Sequence, residues 1–150
     1  MSIRYEDSRL YRLRHSAAHL MAQAVQELYP GAKLSIGPPI ENGFYYDIDF
    51  PSPLKEDDLA GIEAKMAELS ALKMPIVRQE LSRDEARALI LNDLVPGMGA
   101  ATAEYKLQLL DAIPEGEVIS FYDQQSGDHR FIDLCRGPHI ENTEEIQHFK

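Results

Sequence analysis

The chain has 150 residues, enough for one domain that buries roughly two-thirds of its unfolded surface around a single core. Its net charge of -10 argues against an autonomous nucleic-acid binder, because generic affinity for phosphate comes from Lys and Arg releasing counterions. The single cysteine, Cys135, excludes an internal disulfide framework; with no long apolar run and an arginine-rich start, a cytoplasmic protein without a membrane span or secretory leader is expected.

From Ser8 onward, Leu10, Leu13, Ala17, Leu20, Met21, Ala24 and Leu28 recur at helical spacing until Pro30-Gly31, which predicts an amphipathic helix of about twenty residues. The stretches AKLSI (32–36) and FYYDIDF (44–50) read as strands, joined by the turn-rich GPPIENG into a hairpin with a long loop. Leu59, Ile62, Met66 and Leu69 predict a second helix over about 55–73, ended by Pro75. A short strand at 76–80 follows. Ser82 with Glu85 forms a capping box that opens a third helix to about Leu91. After the break VPGMGA (95–100), TAEYKLQLLDAI reads as helix. EVISFYD and HRFIDLC read as strands around the turn QQSGD, and the tail is loop leading into one more element. Strands and helices mix without a regular strand-helix-strand repeat, so the expected fold is α+β: one domain, 1–150, with helices packed on a mainly antiparallel sheet and residues 1–7 as a flexible lead.

Three of the five histidines and the only cysteine fall in two short polar clusters, RHSAAHL (14–20) and FIDLCRGPH (131–139). His15 and His19 are four apart and share one helix face, opposite the apolar arc and beside Ala18, Ala22 and Gln26. A solvated polar face would satisfy that pattern. The small alanines favour a different outcome, because they let another element approach and close a pocket. In FIDLC, strand alternation places Phe131, Asp133 and Cys135 on one face and Ile132 and Leu134 on the other. The RGPH turn then returns His139 towards Asp133 and Cys135. A turn around a small buried Cys is the plainer alternative.

His-x3-His on a helix and Cys-x3-His at a strand end supply four N and S groups that suit tetrahedral zinc, or that line a pocket positioning a water. Cys135 as a nucleophile with a His base is a further option without a local signature. Tyr46 shares a strand face with Phe44 and Ile48, which reads as a core aromatic. Lys106, inside the apolar YKLQLL, either snorkels to water or is desolvated for a task. Arg4, Arg9, Arg12 and Arg14 make one basic corner on an acidic body.

Taken together and in order, RHSAAHLMAQAVQELYPGAKLSIGPPIENGFYYDIDF, EYKLQLL and FIDLCRGPHI resemble the editing domain of bacterial threonyl-tRNA synthetases, the second N-terminal domain of those enzymes, over nearly the whole chain. The two polar clusters are more distantly similar to the editing domains of alanyl-tRNA synthetases and their free-standing relatives, which bind zinc there. The resemblance implies hydrolysis of the ester of serine mischarged on tRNA(Thr), with threonyl-tRNA(Thr) spared. Serine and threonine differ by one methyl, worth only about 1–3 kcal/mol in a synthetic site, so a second, tighter sieve is required.

Carried over by position, the resemblance implies a pocket of His15, His19, Lys106, Asp133, Cys135 and His139, lined by Tyr46. His15 and Lys106 take the catalytic roles. Asp133 meets the substrate ammonium, and His19, Cys135 and His139 shape the site. It implies no metal cofactor in the threonyl type, with zinc on His15, His19, Cys135 and His139 as the alternative. Expected partners are the aminoacylated 3′ end of tRNA(Thr), met by Arg9, Arg12 and Arg14, and the remainder of a synthetase. The motifs of a class II catalytic core and of an anticodon-binding domain do not occur in the sequence. A zinc-dependent trans-editing hydrolase of the alanyl type and a non-catalytic module that binds the aminoacyl-tRNA end are the competing expectations.

Overall fold

The computed structural model describes residues 8–29, 32–34, 39–40, 43–44, 46, 48–50, 52–91, 100–127, 129–135 and 138–146. The first helix, α1 (Arg9–Leu28), begins where Ser8 accepts a hydrogen bond from the Tyr11 amide through its side chain. That satisfies one of the free donors of the first turn, as an N-cap serine does. Its middle turns are buried on every side, with Ala18, Leu20, Ala22 and Ala24 fully enclosed. Leu10 and Leu28, at its ends, are exposed although they fit the apolar period.

The segment after α1 folds as two nested antiparallel ladders. β1 (Lys33–Leu34) pairs with β4 (Ile48–Asp49), and inside them β2 (Pro39–Ile40) pairs with β3 (Gly43–Phe44). The expected hairpin is present, but its second arm is not one strand over 44–50. Each ladder uses its own pair of residues, so the arm divides into β3 and β4. Part of the connecting loop lies outside the described residues.

Helix α2 (Glu56–Ala71) starts on three acidic residues, Glu56, Asp57 and Asp58, which complement the positive end of the helix dipole. Asp58 also accepts from the Lys55 amide at 2.8 Å. Ile62, Met66 and Leu69 face α1, whereas Leu59 is 57% exposed and belongs to the solvent side. The helix ends with Lys73 in the left-handed region at φ 55°, where the Lys73 amide donates to the Ser70 carbonyl.

The main sheet has three antiparallel strands in the order β5 (Ile76–Leu81), β6 (Ile119–Ser126) and β7 (His129–Leu134). Register aligns Arg78, Tyr122 and Asp133 in one row across it. One face carries α1 and α2. The other carries α3 (Arg83–Leu91) and α4 (Ala100–Asp111), whose cluster includes Ala86, Ile90, Leu110, Phe121 and Ile132. The capping box at α3 is made as expected: Ser82 and Glu85 each accept from the other's backbone amide. The VPGMGA break precedes α4 and falls almost wholly outside the described residues.

The tail crosses back over α1 and α2. Its element is a short 3-10 turn, Thr143–Glu145, buried through Thr143. Ser70 donates to the carbonyls of Thr143 and Ile146, and the Thr143 hydroxyl accepts from the Met74 amide. The fold is thus a small α+β domain of four helices packed on an antiparallel sheet.

Arg83 fixes α4 against α3 by donating to the carbonyls of Leu110 and Ile113, both at 2.6 Å, at the end of α4 where carbonyls lack helical partners. Arg83→Ala is expected to lower stability by about 1–3 kcal/mol, read as a reduced urea midpoint at unchanged slope. A midpoint equal to that of the parent chain would show that these bonds are replaced by water without cost.

Candidate functional site

The two polar clusters meet. α1 carries His15 and His19 into the interior one turn apart, and β7 delivers Asp133 and Cys135 on the same side of the sheet. The chain after Cys135 brings Pro138, His139 and Ile140 down onto the histidine face of α1. His15 Nδ1 donates to the Pro138 carbonyl at 3.1 Å, and the Ile140 amide donates to Ser16 Oγ at 3.0 Å. Ser16 Oγ is also 2.9 Å from His139 Nδ1. Strand alternation holds as expected: Phe131 joins the α1 core, and Ile132 and Leu134 join the α3–α4 cluster.

Cys135 Sγ lies between two imidazoles, 3.2 Å from His15 Nε2 and 3.5 Å from His139 Nε2. The His15 and His139 rings stack at 4.0 Å, and His139 and His19 are 4.3 Å apart. Behind them, Lys106 and Asp133 form a buried ion pair at 2.7 Å, and the second Asp133 oxygen is 3.4 Å from His19 Nε2. Lys106 is 5% exposed, so its side chain does not snorkel; it stays inside because the carboxylate of Asp133 compensates its charge. A cleft bounded by Leu89, Ile90, Phe121 and Leu134 reaches this pair from the α3–α4 side.

Burial is the largest influence on all three histidines and holds each below its ordinary protonation range. For His15 the Pro138 hydrogen bond and Asp133 oppose it. For His19 the neighbouring His15 and Lys106 reinforce it, and for His139 the other two histidines do. Neutral imidazoles have a lone pair available, which suits both a general base and a metal ligand.

Those lone pairs bear on the metal question. One ligand atom from each of His15, His19, Cys135 and His139 lies within 4.8 Å of the others. Tetrahedral zinc with bonds of about 2.0–2.3 Å needs ligand separations somewhat shorter than that widest spacing. The donor set fits zinc in kind and number after a modest contraction. The ion would supply Lewis-acid polarisation of a carbonyl or an acidified water.

The remaining expected residues are less central. Tyr46 is half-buried and packs against the α1–α2 core cluster. Arg9 is exposed and pairs with Glu145 at 3.0 Å. Arg12 is exposed, and its charge acts on the Tyr122 hydroxyl; Arg14 is partly buried. Two residues that sequence reasoning passed over belong to the site. Ser16 is 1% exposed and joins α1 to the returning segment, with no spacing signal to mark it. Tyr122 lies 4.4 Å from the His139 ring and was accessible by counting back from the QQSGD turn to its cross-strand partner Asp133.

Residues 119–150, which carry β6, β7 and the Cys-x3-His turn, match the family described as the threonyl and alanyl tRNA synthetase second additional domain. The chain belongs to this family of second additional domains. Its curated relatives narrow the kind. It is 49% identical over 141 residues to a threonine-tRNA ligase of Rubrobacter xylanophilus, covering 94% of this chain and 20% of that protein. It is 51% identical over 138 residues to the threonine-tRNA ligase of Marinobacter nauticus, covering 92% of this chain and 20% of the relative. Within the family the chain is of the threonyl-tRNA synthetase type, and it spans about a fifth of the length of these relatives. Among the described residues no helix is long and apolar enough to cross a membrane.

The neutral histidines have a thermodynamic consequence. The unfolded chain takes up protons on these imidazoles near pH 6.5, whereas the folded protein resists until lower pH. Their contribution is therefore complete above that range and is lost as pH falls through it. With a chelator present, unfolding free energy is expected to drop by about 1 kcal/mol or more between about pH 7.5 and about pH 5.5. Stability that stayed level or rose over that interval would contradict the buried neutral state.

Proposed function

We propose that this chain is the proofreading unit of a threonyl-tRNA synthetase, hydrolysing the ester that joins mischarged serine to the terminal ribose of tRNA(Thr) and sparing the threonyl ester. The observation that carries this reading is the enclosure of a base, a cation and a carboxylate in one small site: His15, Lys106 and Asp133, walled by His19, Cys135 and His139.

In this reading a water attacks the ester carbonyl. The Nε2 side of neutral His15 faces the site and takes the water proton, while the buried Lys106 ammonium stabilises the oxygen on which negative charge develops. Collapse of the tetrahedral intermediate breaks the bond between the carbonyl carbon and the ribose oxygen. The leaving oxygen regains a proton from His15, and free serine departs. Asp133 holds Lys106 on one oxygen and has lone pairs left for the substrate ammonium. Packed rings of His15, His139 and Tyr122 limit room for the extra methyl of threonine, and Tyr46 is the further residue assigned to the substrate side. Arg9, Arg12 and Arg14 are assigned to the tRNA end, Arg9 and Arg12 being exposed on α1. The remainder of a synthetase is the natural partner, because an acidic chain gains little from phosphate alone. Protein synthesis places the reaction in the cytoplasm.

The reading is metal-free, with Lys106 in the electrophilic role. A zinc-dependent variant is favoured by one observation, the convergence of the four ligand atoms. Deacylation of serine-charged and threonine-charged tRNA(Thr), with and without chelator, separates the two. Selective, chelator-insensitive loss of serine is expected. His15→Ala and Lys106→Met should each reduce the rate at least about tenfold. Chelator-sensitive hydrolysis transfers the reaction to the zinc variant, and undiminished activity in both substituted chains refutes the roles of His15 as base and Lys106 as electrophile.

A further inference from the structure

Two backbone groups of the returning segment fix both ends of the proton path that joins Ser16, His139, Cys135 and His15. The Pro138 carbonyl can only accept, so the proton of neutral His15 sits on Nδ1 and its Nε2 presents a lone pair to Cys135. The Ile140 amide can only donate, so Ser16 Oγ accepts from it and has one hydrogen left to give. His139 Nδ1 is 2.9 Å away.

We propose that Ser16 is a positioning residue that holds His139 as the tautomer protonated on Nε2, by donating its hydroxyl hydrogen to His139 Nδ1. The bonds then run in one direction. Ile140 N–H donates to Ser16, Ser16 to His139 Nδ1, His139 Nε2–H to Cys135 Sγ, and Cys135 S–H to His15 Nε2. His15 Nδ1–H closes the path on Pro138. Every hydrogen has one acceptor. In the opposite arrangement His139 Nδ1–H donates to Ser16, and both His139 Nε2 and His15 Nε2 turn lone pairs on a thiol with a single hydrogen. One buried nitrogen would then be left unpaired, which is costly.

The consequence for chemistry rests on the hydrolytic reading above. In the resting site the Cys135 hydrogen occupies the Nε2 lone pair of His15 and keeps that nitrogen unprotonated. The attacking water displaces the thiol hydrogen from it before His15 acts as base, and Ser16 governs this arrangement from two bonds away. Ser16 touches neither water nor ester.

Histidine nitrogens carrying a proton and those carrying a lone pair differ widely in 15N chemical shift, so the tautomers are read directly by NMR of 15N-labelled chain with chelator present. His139 is expected with a lone pair on Nδ1 and a proton on Nε2, and His15 with the reverse. Ser16→Ala should redistribute the His139 tautomers, and Ser16→Thr, which keeps the hydroxyl, should preserve them. Seryl-tRNA deacylation should fall about 10–100-fold in kcat for Ser16→Ala with KM little changed, and recover in Ser16→Thr. A proton on Nδ1 of His139 in the parent chain overturns the proposal even if Ser16→Ala fails to fold. An unchanged tautomer in folded Ser16→Ala overturns it as well. Expected tautomers in a chain inactive on both esters would uphold the proposal and remove the hydrolytic reading instead.

Discussion

One turn of α1 holds the returning tail, and the site exists only because it does. His15 and Ser16 reach across 123 or 124 residues of sequence to Pro138 and to His139 and Ile140, at a helix face that would otherwise be wet. Further along, Ser70 and Met74 bind the same tail through Thr143 and Ile146. These contacts turn a polar helix face into an interior. Without them the imidazoles would be solvated and Cys135 would lie at an open strand end.

Burial then determines the electrostatics. A charged group inside must be paired, and Lys106 and Asp133 pair with one another from α4 and β7, on either side of the sheet's packing. The histidines answer burial by staying neutral, which leaves lone pairs facing a common centre. A cation, a carboxylate and neutral imidazoles thus lie within a few ångströms of one another in the interior. The four ligand atoms converge to within 4.8 Å of one another, which leaves a bound water and, after a modest contraction, a zinc ion as alternative occupants for the proposed reaction.

Much of this was legible in the sequence because periodicity reports burial. The apolar spacing of α1, the capping box at α3 and the alternation in FIDLC each survive in the structure, the last separating the two hydrophobic clusters residue by residue. Periodicity misled where position along an element outweighs its face. Leu59 sits in the first turn of α2, ahead of the helix–helix contact, and is exposed. The run 44–50 alternates like one strand yet serves two short ladders, since its partners are separate segments. For Lys106 the spacing allowed a snorkelling or an enclosed side chain, and only the three-dimensional approach of Asp133 decides it. Ser16 was invisible for the same reason: its importance lies wholly in atoms from the far end of the chain.

In the proposed reading the site discriminates serine from threonine already in binding, because the packed rings of His15, His139 and Tyr122 leave little room for one more methyl. The most direct measurement is calorimetric titration of the chain with stable seryl-amide and threonyl-amide analogues of the terminal adenosine, with chelator present. The proposed function predicts at least about tenfold tighter binding of the seryl compound. Equal affinity, or preference for the threonyl compound, would contradict a pocket closed against one methyl.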